Sequence, residues 1–152
     1  MDKDKAVLVT SYSDAQELVV RIKSFGIDAI LFHSFVLALN WLSETKEELD
    51  YILARQGESI DGILGFDFLG MVRTGCSFYS ALRQEQIDGL REEITRKVAK
   101  KYGNIPLICF DALACQSQMT RLQGIYTCRE LTQRSFQRAP AYARFHGYGY
   151  ST

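Results

Sequence analysis

The chain has 152 residues, of which 47% are hydrophobic and 24% charged, with 11 glycines and 2 prolines. That composition excludes wholesale disorder and collagen-like repeats and suits one domain whose core is stable without cross-links. Eighteen basic residues balance eighteen acidic ones, which excludes a whole-chain electrostatic binder of nucleic acid or membranes.

Residues 1–5 (MDKDK) are mixed in charge and run into a short apolar stretch, residues 6–10 (AVLVT). This is not a signal-peptide pattern, and residues 6–10 read as a first buried strand. A helical stripe follows at Ala15, Leu18, Val19, Ile22 and Phe25, with Ser13 and Gln16 at capping-box spacing and Gly26 as a stop. Residues 29–32 (AILF) predict a second strand and residues 35–42 a helix. Thr45 and Glu48 offer another capping box before a short helix through Leu49, Ile52 and Leu53, and residues 62–66 (GILGF) predict the third strand. A helix is expected over residues 82–102, with Ile87, Leu90, Ile94 and Val98 at helical spacing and Glu92 and Glu93 four residues before Arg96 and Lys97. Residues 106–110 (PLICF) and 125–128 predict strands four and five, with a short helix over 112–123 between them.

Apolar strands alternating with helices imply a flavodoxin-like α/β domain: a three-layer sandwich with a parallel sheet of about five strands and helices on both faces. We assign this domain to residues 1–133. Residues 134–152 carry Arg134, Arg138 and Arg144 and no acid, interleaved with Phe136, Tyr142, Phe145, Tyr148 and Tyr150. They read as a basic aromatic tail whose Arg138, Tyr142, Arg144 and Phe145 dock on the domain, on a partner protein, or on single-stranded nucleic acid. From residue 112 onward there are five arginines against one acid, Glu130, and the preceding 111 residues hold 17 acids and 13 bases.

Cys76, Cys109, Cys115 and Cys128 form no Cys-x-x-Cys pair, and His33 and His146 are far apart. These spacings argue against zinc and for free thiols in a reducing cytoplasm. No apolar run approaches the ~18–20 residues of a membrane span. We therefore expect a cytoplasmic protein with no metal, no cofactor and no membrane association. In an open parallel sheet, ligands bind beyond the carboxyl ends of the strands. That rule selects Thr10, Ser11, Ser13, His33, Asp67, Asp111 and Arg129 as rim residues. Asp67 and Asp111 together would bind a divalent cation or share a proton, or stand as two solvated loop acids. Phosphate-binding glycine motifs and a G-x-S-x-G elbow are missing.

The stretches at 6–10, 27–42, 61–71, 105–114 and 123–131 resemble, in order, the receiver domains of two-component response regulators. Ala38-Leu39 resembles the Ala-Leu pair of their second helix. The resemblance makes Asp67 the nearest match to the phosphoacceptor at the end of strand three. It sets Thr10-Ser11-Tyr12 where receivers carry a magnesium-binding acidic pair, Asp111-Ala112 where they have Ser or Thr then Ala, and Arg129 near their Lys-Pro. It thus implies a degenerate, phosphorylation-independent pseudo-receiver: a non-enzymatic regulatory module acting through a protein partner, with a homo-oligomer left open. Residues 9–32 and 59–66 also resemble Toll/interleukin-1 receptor domains. That alternative implies nucleotide sensing or NAD hydrolysis with Ser11, Ser13 and Glu85, Glu85 being the catalytic carboxylate.

Overall fold

Three runs with every residue buried, at 6–10, 51–55 and 107–110, form the middle of one parallel sheet. A strand covered on both faces needs this uninterrupted apolar character. The structure is a computed structural model and describes residues 3–75, 90–112 and 124–146. In chain order the elements are β1 (Asp4–Val9), α1 (Ala15–Ser24), β2 (Ile27–Phe32), α2 (Phe35–Glu44), β3 (Tyr51–Arg55), β4 (Ser59–Ile60), β5 (Ile63–Leu64), α3 (Gly65–Thr74), α4 (Glu92–Tyr102), β6 (Leu107–Phe110), β7 (Ile125–Thr127) and α5 (Gln133–His146). The main sheet has the order β2-β1-β3-β6-β7 and is parallel throughout, while β4 and β5 form a separate antiparallel hairpin. This is the flavodoxin-like three-layer architecture expected from the sequence.

Alternation along the strands divides the core in two. Val7, Val9, Ile52, Ala54, Leu107 and Cys109 pack with α2, α3 and α4, where Phe35 stacks on Phe68 at 4.7 Å between ring centroids. Ala6, Leu8, Tyr51, Leu53, Ile108 and Phe110 pack with Leu18 and Ile22 of α1 and Phe136 and Ala139 of α5.

Four sequence expectations are corrected. The third strand is residues 51–55, not 62–66, and the helix expected through Ile52 and Leu53 is that strand. Residues 62–66 contain two glycines that a central strand does not tolerate. Asp61 (φ 57°) and Gly62 (φ 81°) make the tight turn of the β4–β5 hairpin, as an Asp-Gly pair favours. Gly65 opens α3 so close to β3 that a Cβ there would lie 1.8 Å from the Arg55 carbonyl oxygen. The long helix begins at Glu92, because Arg91 is extended (φ −117°, ψ 148°); residues 82–89, like all but the first residue of the helix expected over 112–123, lie outside the described residues. Ser13 does not cap α1: Asp14 is the N-cap, without a side-chain cap bond. Ser34 does cap α2, accepting from Leu37 N at 3.2 Å.

The fourth correction concerns the tail. Residues 133–146 are helical, and Phe136, Ala139 and Ala143 are buried. Spacings of three and four place these residues on one face, which closes the α1 side of the sheet. The division at residue 134 therefore falls inside an element of the core. Pro140 within α5 has no N–H to donate to the Phe136 carbonyl four residues earlier. The Tyr51 hydroxyl donates to that oxygen instead, at 3.2 Å, and the Tyr51 and Phe136 rings meet edge to face at 5.0 Å. Among the described residues no helix is long and apolar enough to cross a membrane.

Candidate functional site at the carboxyl edge of the sheet

The chain leaves β1 toward β2 on one side and returns to β3 on the other. The carboxyl ends of β1 and β3 therefore flank the topological switch point, where an open α/β sheet places its site. β1 ends in Val9 and is followed by buried Thr10 and exposed Ser11, and β3 ends in Arg55.

Strand alternation sends the Arg55 side chain to the α1 side, with Tyr51 and Leu53. It is buried, and three carboxylates surround it. Asp14 accepts from Nη2 at 2.8 and 3.1 Å, Asp111 accepts from Nη1, and Glu58 Oε1 lies 3.6 Å from Nε. The guanidinium also lies between two rings, 4.4 Å from the Tyr12 centroid and 5.0 Å from that of Phe110. The three acids are not equivalent. The Asp14 and Asp111 side chains are 42% and 44% exposed, whereas Glu58 is 1% exposed. Exposed ion pairs contribute about 0–1 kcal/mol each. The buried Glu58 charge therefore dominates the energetics of the cluster.

Glu58 sits in a nest of donors. It accepts from Thr10 Oγ1 at 2.7 Å, from Ser11 N at 2.6 Å and from Ser11 Oγ at 2.7 Å. Tyr12 N donates to Thr10 Oγ1 at 3.3 Å, so this hydroxyl accepts from the backbone while donating to the carboxylate. Charge-assisted bonds of this kind are roughly twice as strong as neutral ones. Asp111 has φ 57°, a left-handed conformation that aspartate tolerates better than most residues, and its carboxylate reaches Arg55 from there.

The other rim residues fall into place around this cluster. His33 is exposed and donates from Nδ1 to the Thr10 carbonyl at 3.0 Å. Ser13 and Arg129 are exposed, and neither has a hydrogen bond or ion pair among the described residues. Asp67 is not at a strand end: it lies in the first turn of α3 with no exposed surface, so the pairing of Asp67 with Asp111 across the rim is replaced by that of Arg55 with Asp111. Glu85 lies outside the described residues. Of the proposed tail contacts, Arg138 is an exposed residue of α5 and Tyr142 packs edge to face on Tyr126 at 5.7 Å, while Arg144 and Phe145 belong to the last turn. Cys109 is buried and Cys128 half-buried, both as free thiols. Burial pushes the Cys109 thiol up to about 12 and raises that of Cys128, which Ser135 opposes through a hydrogen bond. Neither is a reactive thiolate at neutral pH.

Sequence reasoning found Thr10, Ser11 and Asp111 but missed Arg55 and Glu58. The missed signal was the unbroken apolar run YILA at 51–54, a better central strand than the glycine-broken GILGF.

No protein-family model matches the chain, and no curated protein matches its sequence. Solved structures do match. The receiver domain of a sensor histidine kinase from Pseudomonas aeruginosa, solved with a magnesium ion coordinated in its active site cleft, aligns over 96% of this chain and 99% of its own, with a TM-score of 0.58 and 14% identity. A response regulator receiver domain protein from Clostridium thermocellum covers 93% and 98%, at TM-score 0.58 and 12% identity. The signal receiver domain of a modulated diguanylate cyclase from Desulfovibrio desulfuricans covers 95% and 98%, at TM-score 0.55 and 15% identity. The chain therefore has the receiver fold, as the sequence resemblance implied.

The magnesium ion that such a resemblance implies does not fit the residues of this rim. The position after β1 offers hydroxyls, the third strand ends in a cation, and Asp14, Glu58 and Asp111 all face that cation. Among the described residues no group of three or more His, Cys, Asp or Glu is arranged to hold a metal ion.

Proposed function

We propose that this chain is a non-enzymatic, phosphorylation-independent signalling module of pseudo-receiver type, acting in the cytoplasm through contact with a protein partner. One observation carries the reading: the third parallel strand ends in Arg55, and its guanidinium is held by Asp14, Glu58 and Asp111. A receiver, as the resemblance describes it, needs a carboxylate at that strand end and acids after the first strand. Here a cation stands at the strand end and hydroxyls stand directly after the first strand, and Asp14 later in that loop is paired with the cation. Asp67 has no exposed surface from which to attack a phosphodonor. The rim beside the cluster offers a contact surface instead, with Tyr12 49% and Leu37 63% exposed. Such exposed apolar groups beside an ionic cluster suit recognition rather than turnover.

Incubation with acetyl phosphate and magnesium, followed by intact mass measurement, tests the reading. The expected product is unmodified protein. A stable acyl phosphate on Asp67 would overturn it.

A further inference from the structure

The Thr10–Ser11 nest is a complete oxyanion site, and its present occupant belongs to the protein itself. Three donors converge on the Glu58 carboxylate: Thr10 Oγ1, Ser11 N and Ser11 Oγ. A fourth is left over. Arg55 Nε is buried and has no hydrogen-bond partner, yet it faces the same carboxylate from 3.6 Å. Glu58 thus fills the nest without exhausting it. Ser11 is exposed, so the nest reaches solvent on that side.

We propose that this nest is a carboxylate-binding site that Glu58 occupies as an internal ligand, and that a monocarboxylate supplied from outside takes the same place when Glu58 is withdrawn. The charge balance selects the class. With Glu58 removed, Arg55 supplies one positive charge and Asp14 and Asp111 two negative ones. A monoanion meets the local donors at a modest long-range cost, whereas a phosphate dianion doubles the repulsion from Asp14 and Asp111. The segment that delivers Glu58 is short, with Glu58 N donating to the Arg55 carbonyl at 3.3 Å and Gly65 N donating to the Glu58 carbonyl at 2.9 Å. It precedes a hairpin of two residues per strand, too short to be stable alone, whose tip is tied to α2 by the Ser34 hydroxyl donating to Asp61 at 2.5 Å. Gly57, just before Glu58, is exposed, with open space around it. The hairpin therefore acts as a built-in competitor for the nest. This inference stands apart from the phosphorylation question, because no step of it involves Asp67.

The test is chemical rescue of E58A, read by thermal unfolding in sodium acetate or sodium formate against sodium chloride of equal ionic strength. E58A is expected to melt below wild type. Acetate at about ten times its dissociation constant is expected to raise the E58A midpoint by ~4 °C, and the midpoint to keep rising with the logarithm of acetate concentration. Wild type, with the nest filled, should show no such shift, nor should T10V/E58A, which lacks one donor. Should E58A fail to fold in chloride, its refolding in acetate, followed by circular dichroism, gives the same reading. Equal behaviour in acetate and chloride would overturn the proposal, and so would rescue by inorganic phosphate in place of acetate.

Discussion

Two buried arginines stabilise opposite ends of this sheet by different chemistry. At the carboxyl edge Arg55 is surrounded by three carboxylates. At the amino edge Arg73 of α3 donates to main-chain carbonyls: Nη1 to Gly103 at 2.7 Å and Ile105 at 2.8 Å, and Nη2 to Gly124 at 3.0 Å. Those carbonyls precede β6 and β7, so a single side chain sets where both strands begin. Carbonyl dipoles compensate a buried cation less than carboxylates do, and desolvation pulls Arg73 down to about 10, still charged at neutral pH. The Arg55 partners are side chains, two of them near 40% exposed, that can be exchanged without rebuilding the backbone. The amino edge is a staple to the main chain, and the carboxyl edge is an ionic cluster of exchangeable side chains.

The largest effects fall on the staple. R73M strands three carbonyls, two of them buried, each buried one costing roughly 1–3 kcal/mol when unsatisfied, and is expected to lower stability by about 4 kcal/mol in urea denaturation. R73K recovers little, because one ammonium does not reproduce a fork spread over three acceptors. R55K, whose partners are carboxylates and two of them exposed, is expected to cost only about 1 kcal/mol. Equal losses for R73K and R55K would erase the distinction between the two edges.

Next comes the coupling inside the cluster. R55M leaves the Glu58 charge buried with only its hydroxyl and amide donors, at an expected cost of about 3 kcal/mol. E58Q removes that charge in the same shape. The double variant R55M/E58Q should then be about 1–2 kcal/mol more stable than the sum of the single changes predicts. Strict additivity would mean that Arg55 and Glu58 do not sense each other.

The smallest effect is an alkaline one from the strand between the two edges. The unfolded Cys109 thiol loses its proton near 9.0, whereas the buried one holds it to about 12. Between those values the unfolded state binds fewer protons, so stability is complete below pH 9 and falls as pH rises toward 12. Tyr51 and Tyr102, both raised by burial first and then by nearby acids, act in the same direction. Arg73, lowered by burial, acts in the opposite sense above pH 10. The midpoint of thermal unfolding should therefore decline from pH 9 upward, and less steeply in C109A. A decline as steep in C109A would assign it elsewhere.

Much of the fold was legible because four of its strands announce themselves: 6–10, 29–32, 106–110 and 125–128 are short apolar runs bounded by polar or turn residues. The central strand was harder. The run at 51–54 follows a stretch with helix-capping spacing, and the nearby GILGF has the same apolar content. The last helix was obscured by Pro140, which leaves the Phe136 carbonyl unmatched; Tyr51 answers that carbonyl from 85 positions away, a contact that no local pattern contains. The rim followed the same division. Thr10, Ser11 and Asp111 were found by the rule that sites lie beyond strand ends. Arg55 and Glu58 required the correct third strand, and without it Asp67 took a place that belongs to Arg55.

The central claim is that Arg55 engages the carboxylates of the carboxyl edge, so that this edge takes up no divalent cation. It is tested most directly by titrating magnesium into 15N-labelled wild-type protein and following the amide resonances of Ser11, Arg55 and Asp111. The account predicts no saturable shift at any of the three. A saturable movement of all three together, with a single dissociation constant, would contradict it.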